Sequence, residues 1–386
     1  MMRLLHLSAD PGVPVLGHKG ASVHVRALSE AVAALGVSVV VASPRIRFEG
    51  DRLDADVALV EIAAVLPKEH GAAGSLRRAV RDQAAQVAAV ARERDVDAIY
   101  ERYSLFSNAG VVAAAALGIP HALEVNAPLR DEARRFRTLP HAAEAEELEA
   151  GVFAATDHVF AVSQELRDAL VAVRLDAAKA HVLMNAVDPV KFALRRRTER
   201  DVFTVGFCGS LKRWHGIEVL VAAFRAAAAE EARLRLEIVG TGPAERIVVE
   251  AARSDARIVC HGPLPHRAAI EMMARWDVGV APFRAVPHFY FSPLKVLEYM
   301  AAGSCAVASD LGQIRLLLGG GERGVLVEPG DADALAAALV GLARDPCLAA
   351  ELGARGRAYV LSRRTWTRNA RIVLDALAVR PAELVA

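Results

Sequence analysis

Short runs of aliphatic and β-branched residues alternate along the chain with stretches whose apolar positions recur at helical spacing. RLLHLSA (Arg3 to Ala9) leads into a Gly- and Pro-rich loop, Asp10 to Gly20. A predicted helix follows from Ser22 to about Leu35, then a second strand, VSVVVAS (Val37 to Ser43). A long Arg/Ala helix (Ser75 to Arg94) precedes the strand DAIYERY, an Ala-rich helix and the strand HALEVN. HVFAVS and HVLMNAV read as two more short strands. A polar, basic stretch without periodicity, Phe192 to Asp201, reads as a linker. The pattern then restarts: FTVGFCG, a helix from Ile217 to about Ala229, LRLEIVG, RIVCHG, the helix PHRAAIEMMARW, VGVAPF, the helix LKVLEYMAAG and CAVASD. Buried strands alternating with helices predict parallel sheets covered on both faces. The fold class expected is therefore α/β, two doubly wound Rossmann-like halves, with a central cleft between them as the default ligand site.

Composition narrows the function classes. Lys+Arg 47 against Asp+Glu 46 leaves a formal charge of +1 over 386 residues, unlike the basic excess of a dedicated nucleic-acid binder. With 54% hydrophobic and 24% charged residues, the chain has the material for two full cores and is not disordered. No run approaches the roughly 20 apolar residues of a membrane span; the richest, Val111 to Leu117, stops at Gly118 and Pro120. Met1 to Leu7 reads as a strand running into Asp10 rather than as a leader. Cys208, Cys260, Cys305 and Cys347 show no CxxC spacing, so neither a zinc site nor a disulfide framework is expected. The expectation is a soluble, cytoplasmic, reduced protein.

Two nucleotide signatures fail. GVPVLGHK (Gly12 to Lys19) opens like a P-loop but places His and Lys after Gly17, and GTGPAE (Gly240 to Glu245) lacks the third Gly of a dinucleotide fingerprint. No HExxH occurs among the 12 histidines, and no metal or other cofactor is expected. The segment PHFYFSPLKVLEYMAAGSCAVASD, Pro287 to Asp310, carries more. Ser292 and Pro293 stand where a helix begins, and the free N–H groups of a first helical turn attract anions. Lys295 lies in that turn and can add a positive charge to a diphosphate. Glu298, three residues on, shares its helical face, and a carboxylate there can accept from both hydroxyls of a ribose. The plain alternative is an amphipathic helix with a solvated Lys–Glu pair.

FSPLKVLEYMAAG resembles the nucleotide-sugar motif of family 4 glycosyltransferases, retaining enzymes of the GT-B fold. GFCGSLKRWHG (Gly206 to Gly216) is similar to the opening loop of that family's donor domain. GVPVLGHKGASVHV resembles its acceptor-domain Gly-rich loop, and GERGVLVEPGDADALAAALVGLARDP its closing strand–helix unit. These matches run in order from about residue 5 to about residue 370. The resemblance implies an acceptor-binding domain over 1–196 and a nucleotide-sugar domain over 202–362. It further implies a C-terminal helix, 363–386, crossing back to the first domain. It implies a donor site drawn from Gly20, Gly209, Ser210, Lys212, Gly240 and Leu264, together with Tyr290, Ser292, Pro293, Leu294, Lys295 and Glu298. Glu298 matches the second Glu of the family's Glu-x7-Glu motif; Tyr290, eight residues earlier, stands at the first, so that Glu is missing. The usual Arg and Lys of the phosphate clamp fall near Ser210 and His215, and Lys212 and Lys295 are the replacements proposed for that charge.

In the acceptor half the family often carries a His at the end of the strand HALEVN, and Asn126 stands there. An amide cannot act as acid or base near neutral pH. Asn126 could equally cap the Pro128 turn. Asn126, Lys212 and Lys295 are the catalytic candidates; His18, Lys19, Glu124, Asn126 and Arg130 are the acceptor-site candidates. His24 is another candidate contact, Glu101 and Arg102 could form a buried pair, and Trp214 and Trp366 read as packing residues. The Arg runs at Arg77, Arg78, Arg81 and Arg134, Arg135, Arg137 suggest peripheral contact with anionic lipid. The activity implied is metal-independent transfer, with retention, from a nucleoside diphosphate sugar, by family frequency a UDP-sugar. The acceptor would be a hydroxyl of a small molecule or glycan. A non-hydrolysing UDP-sugar 2-epimerase and a catalytically weak sugar-nucleotide-binding protein are the alternatives. Oligomeric state is left open.

Overall fold

Strands rich in Val, Leu and Ala on both faces are stable only inside a sheet covered on two sides, and the chain builds two of these. In the first, β1 (Arg3–Ser8), β2 (Ser38–Ser43), β3 (Ala58–Glu61), β4 (Ala98–Arg102), β5 (His121–Val125), β6 (His158–Ala161) and β7 (Ala180–Val182) lie in the order β3-β2-β1-β4-β5-β6-β7. All of its pairings are parallel. Its helices are α1 (Gly20–Ala33), α2 (Ala73–Glu93), α3 (Ala109–Leu117), α4 (Leu129–Phe136), α5 (Ala142–Ala155) and α6 (Gln164–Ala172). The computed structural model describes residues 2–17, 20–46, 53, 57–67, 71–136, 138–173, 175–192, 201–286 and 289–378.

The second sheet joins β8 (Phe203–Cys208), β9 (Leu234–Val239), β10 (Ile258–Gly262), β11 (Val278–Ala281), β12 (Cys305–Ser309) and β13 (Val325–Val327) in the order β10-β9-β8-β11-β12-β13, again all parallel. Helices α7 (Ile217–Glu230), α8 (Glu245–Ser254), α9 (His266–Met273), α10 (Leu294–Ala302), α11 (Ile314–Leu317), α12 (Ala332–Arg344) and α13 (Pro346–Arg363) accompany it. The last helix, α14 (Trp366–Ala378), packs on α1. One compact unit comprises Met1–Met184, Tyr290–Ser292 and Trp366–Ala386; the other comprises Asn185–Phe289 and Pro293–Thr365. Each sheet reverses its strand order once, between β1 and β4 and between β8 and β11. That is where doubly wound sheets hold ligands, at the carboxyl ends of the strands.

Local chemistry explains several boundaries. Asp331 caps α12 by accepting from the Ala334 N–H at 2.8 Å, and Asp345 caps α13 by accepting from Leu348, with Pro346 in the first turn. Helix α3 stops at Gly118, whose φ of 66° is left-handed. The second core is built around Phe203, Val205 and Phe207 of β8 with Leu236 and Ile238 of β9, all at 3% exposure or less. Strand β3 and helices α4 to α6 are not predicted by the apolar pattern: β3 is an edge strand, and α4 (LRDEARRF) is mostly charged. Within the expected linker, residues 193–200 lie outside the described residues, as do 379–386 of the expected C-terminal helix.

Candidate functional site

The site in the second unit starts where β8 ends. The Cys208 N–H donates to the Tyr299 hydroxyl of α10 at 2.9 Å, which fixes the point at which the chain leaves the sheet. Gly209 follows with φ 142°, and Gly240, ending β9, has φ 134°. A Cβ on Gly240 would fall 1.9 Å from the Gly209 carbonyl oxygen, so the two loops meet backbone to backbone, as only glycine permits. Leu211 N–H donates to Thr241 O at 3.0 Å and Ala244 N–H to Leu211 O at 2.8 Å, locking the loops together.

Lys295 enters this junction from the first turn of α10. Its Nζ lies 4.2 Å from the Phe207 ring centroid and 5.2 Å from that of Phe283. It is buried, with no hydrogen-bond partner among the described residues. Burial pushes its pKa down from 10.5 to about 7, with Cys208 and Glu298 opposing the shift. An anion beside it would raise the pKa and favour the charged amine. His215 donates from Nδ1 to the Ser210 carbonyl oxygen at 2.5 Å, and burial, then Lys295, push its imidazole down to about 3. It is neutral at pH 7. Lys212 Nζ lies 4.7 Å from the ring centroid of exposed Trp214. Pro293 and Leu294 start α10, and Leu264 is half-buried in the loop after β10. Glu298 is 9% exposed; its Oε1 meets His266 Nε2 at 2.8 Å.

In the first unit a second cluster forms around Glu124, 2% exposed at the end of β5. Its Oε2 accepts from His24 Nε2 and from the Tyr100 hydroxyl, each at 2.6 Å. Its Oε1 accepts from Arg102 at 2.9 Å and from Asn126 Nδ2. Burial by itself would raise this carboxyl, but His24, Arg102 and Tyr100 outweigh it and hold the group well below the usual carboxylate range. Four donors fill four lone pairs, so Glu124 orients its neighbours and keeps no oxygen for an acceptor hydroxyl. An ionised carboxylate faces only donors, so Asn126 turns its Nδ2 inward and its Oδ1 away.

Other expected contacts fall differently. Glu101 and Arg102 do not pair: successive strand residues point to opposite faces. Glu101 meets His121 at 3.1 Å while Arg102 meets Glu124. Tyr290 and Ser292 group with the first unit, not with the donor loops of the second. The Tyr290 hydroxyl donates to Glu132 and its carbonyl accepts from Ser163 Oγ at 2.8 Å. Arg130 is engaged by Glu149 at 2.9 Å and Glu146 at 3.2 Å. Arg77 meets Glu147 and Arg134 meets Glu146, so acids already accompany the basic runs. Gly20 opens α1, while His18 and Lys19 lie outside the described residues, as do Pro287 and His288 of the motif segment. Phe207, Phe283, His266 and Tyr100 escape the sequence pattern, because an aromatic or a His looks like core or surface until its neighbours are known.

Comparison with solved structures places both halves in one architecture. The fold is GT-B: sucrose-phosphate synthase from Thermosynechococcus elongatus superposes with a TM-score of 0.72 at 20% identity, covering 97% of this chain and 98% of that one. Anabaena Alr3699/HepE, solved in complex with UDP, gives 0.75 at 18% identity, covering 98% and 100%. Sequence models described as Glycosyltransferase Family 4 and Glycosyl transferases group 1 match residues 18–191 and 202–345. The chain belongs to this group 1, family 4 glycosyltransferase family. Among curated relatives, a phosphatidyl-myo-inositol mannosyltransferase of Mycolicibacterium smegmatis is 33% identical over 175 residues, 44% of this chain and 45% of that protein. An alpha-maltose-1-phosphate synthase of the same organism is 27% identical over 251 residues, 57% of this chain and 62% of that protein. The matched segments thus span about half the length of these relatives. Among the described residues no helix is long and apolar enough to cross a membrane.

Proposed function

We propose that the protein transfers a sugar from a nucleoside diphosphate sugar, a UDP-sugar, to a hydroxyl of a small-molecule or glycan acceptor, with retention at the anomeric carbon. The observation that carries this reading is Lys295: a buried amine without a hydrogen-bond partner, at the strand-order reversal and beside two backbone-lined glycine loops. Such a group calls for an anion. Glu298, one helical turn on, offers the acceptor oxygens a ribose needs. Family membership and the UDP complexes of HepE support the same donor class.

In the proposed reaction the bond from the anomeric carbon to the diphosphate oxygen breaks while a bond to the acceptor oxygen forms on the same face. The acceptor proton passes to the departing phosphate. Lys295, Lys212 and the N-terminal turn of α10 stabilise the charge that develops there, and preorganised charges of this kind need no rearrangement during the step. No metal is assigned a role. Asn126 Oδ1 contributes by accepting from a hydroxyl, not by moving a proton.

Calorimetric titration with UDP, GDP and ADP tests the reading. Micromolar binding of one diphosphate, weakened at least tenfold in both Lys295→Ala and Glu298→Ala, is expected. Binding indifferent to both substitutions, or no binding, sinks it. A screen of acceptor hydroxyls with the matching sugar nucleotide then separates transfer from epimerisation, which would proceed with no acceptor present.

A further inference from the structure

Glu298 is held before any ligand arrives. We infer that His266 is a positioning residue for ribose recognition: it pins one oxygen of the Glu298 carboxylate so that the other faces a ligand hydroxyl. The inference rests on the nucleotide site proposed above.

An ionised carboxylate only accepts, so the His266 Nε2 that lies 2.8 Å from Glu298 Oε1 must carry its hydrogen. His266 is the first residue of α9, and Pro265 before it, with φ −54°, fixes the approach of the chain. Glu298 sits in the middle of α10 with its side chain nearly buried. Its Oε2 has no hydrogen-bond partner among the described residues and is absent from the fully enclosed polar atoms. One oxygen is therefore clamped and the other open.

A glutamate carboxylate turns easily about its last torsion. Two vicinal hydroxyls need both oxygens presented in one plane, and a free carboxylate would have to be frozen into that plane on binding. His266 does this in advance, and it takes only one lone pair of Oε1. The second lone pair of Oε1 and both of Oε2 remain for a diol. Removing His266 should therefore affect a ligand that has both ribose hydroxyls more than one lacking a hydroxyl.

The test is the affinity ratio of UDP to 2′-deoxy-UDP, measured by calorimetry for the full-length protein. The wild type is expected to prefer UDP. His266→Ala should shrink that preference about tenfold, the effect of one hydrogen bond to a charged group. His266→Gln, which keeps a donor at a comparable reach, should restore most of it. Thermal melting of both variants shows whether the fold is intact, and a general loss of structure would weaken both ligands alike without changing the ratio. If Glu298→Ala abolishes the preference but His266→Ala leaves it whole, the positioning role is overturned and the nucleotide site stands. If Glu298→Ala also leaves it whole, or the wild type binds neither ligand, the nucleotide site itself falls, and this inference with it.

Discussion

His24 Nε2 and Glu124 Oε2, a hundred positions apart in sequence, meet at 2.6 Å inside the first unit. The contact joins helix α1 to the end of β5, and Arg102, Tyr100 and Asn126 complete it. A buried charge so fully partnered is expensive to break from one side. Glu124→Gln should destabilise the first unit by about 3–5 kcal/mol, because Arg102 loses its counter-charge while staying buried. The measurement is the urea midpoint; an unchanged midpoint would remove Glu124 from the centre of this cluster. The sign with pH follows from a folded pKa held below the 4.5 of the unfolded chain. The stabilisation is complete above about pH 4.5 and is lost as pH falls below it.

Lys295 gives the same sign with pH in a higher window, although here burial of the group costs stability. Its pKa is about 7 folded and 10.5 unfolded, so the unfolded chain holds the extra proton between those values. Stability should rise with pH across that window and be insensitive to this group below it. Lys295→Met is expected to stabilise the ligand-free protein by on the order of 4 kcal/mol near pH 7 while abolishing diphosphate binding. A variant that melts below the wild type would contradict the burial argument.

Diphosphate binding should also take up a proton. At pH 7 the ligand-free amine is protonated in roughly half the molecules, and an adjacent diphosphate drives it to full charge. Binding enthalpies measured in buffers of different ionisation enthalpy should then fall on a sloping line, corresponding to uptake of about half a proton. A flat line means that Lys295 does not change state.

Gly240→Ala should be severe for a purely geometric reason. The new methyl would stand 1.9 Å from the Gly209 carbonyl oxygen, and the residue would be held at φ 134°. Backbone strain and the forced separation of the loops together predict a loss of at least ~3 kcal/mol and of nucleotide binding. Gly20→Ala is the control, since a Cβ there meets nothing within 4 Å; it should melt like the wild type.

Trp366 is 4% exposed and lies edge-on to His24, ring centroids 4.6 Å apart. Trp366→Ala should destabilise the first unit by about 3–5 kcal/mol, with little effect on UDP affinity, since its contacts belong to the other unit. Loss of UDP binding at a temperature where the variant remains folded would refute that separation.

The doubly wound pattern was legible because each buried strand is a short apolar run bounded by Gly, Pro or Asp, as in VGVAPF and CAVASD. The charged helix α4 was not, because it carries no run of that kind; β3 lies in a short apolar run, Val57 to Val60 after Asp56, but at the sheet edge it is only half-buried. Lys295 and Glu298 could be picked out by their spacing on one helix. What surrounds them could not: Phe207 comes from β8, Phe283 from the loop after β11, and His266 from another helix. Nothing local marks an aromatic as the wall of a cation site. Tyr290 shows the same limit, for its neighbours in sequence head α10 whereas its hydroxyl goes to Glu132.

The return of the chain to the first unit at Trp366 sets an order on synthesis. The second unit, Asn185–Phe289 with Pro293–Thr365, has all its strands and helices translated before α14 exists. Until then α1 lacks its partner and His24 lacks its aromatic neighbour. The half that begins first is therefore the half that finishes last, and a chain truncated after Thr365 would hold every strand and helix of the second unit while the first still lacked α14.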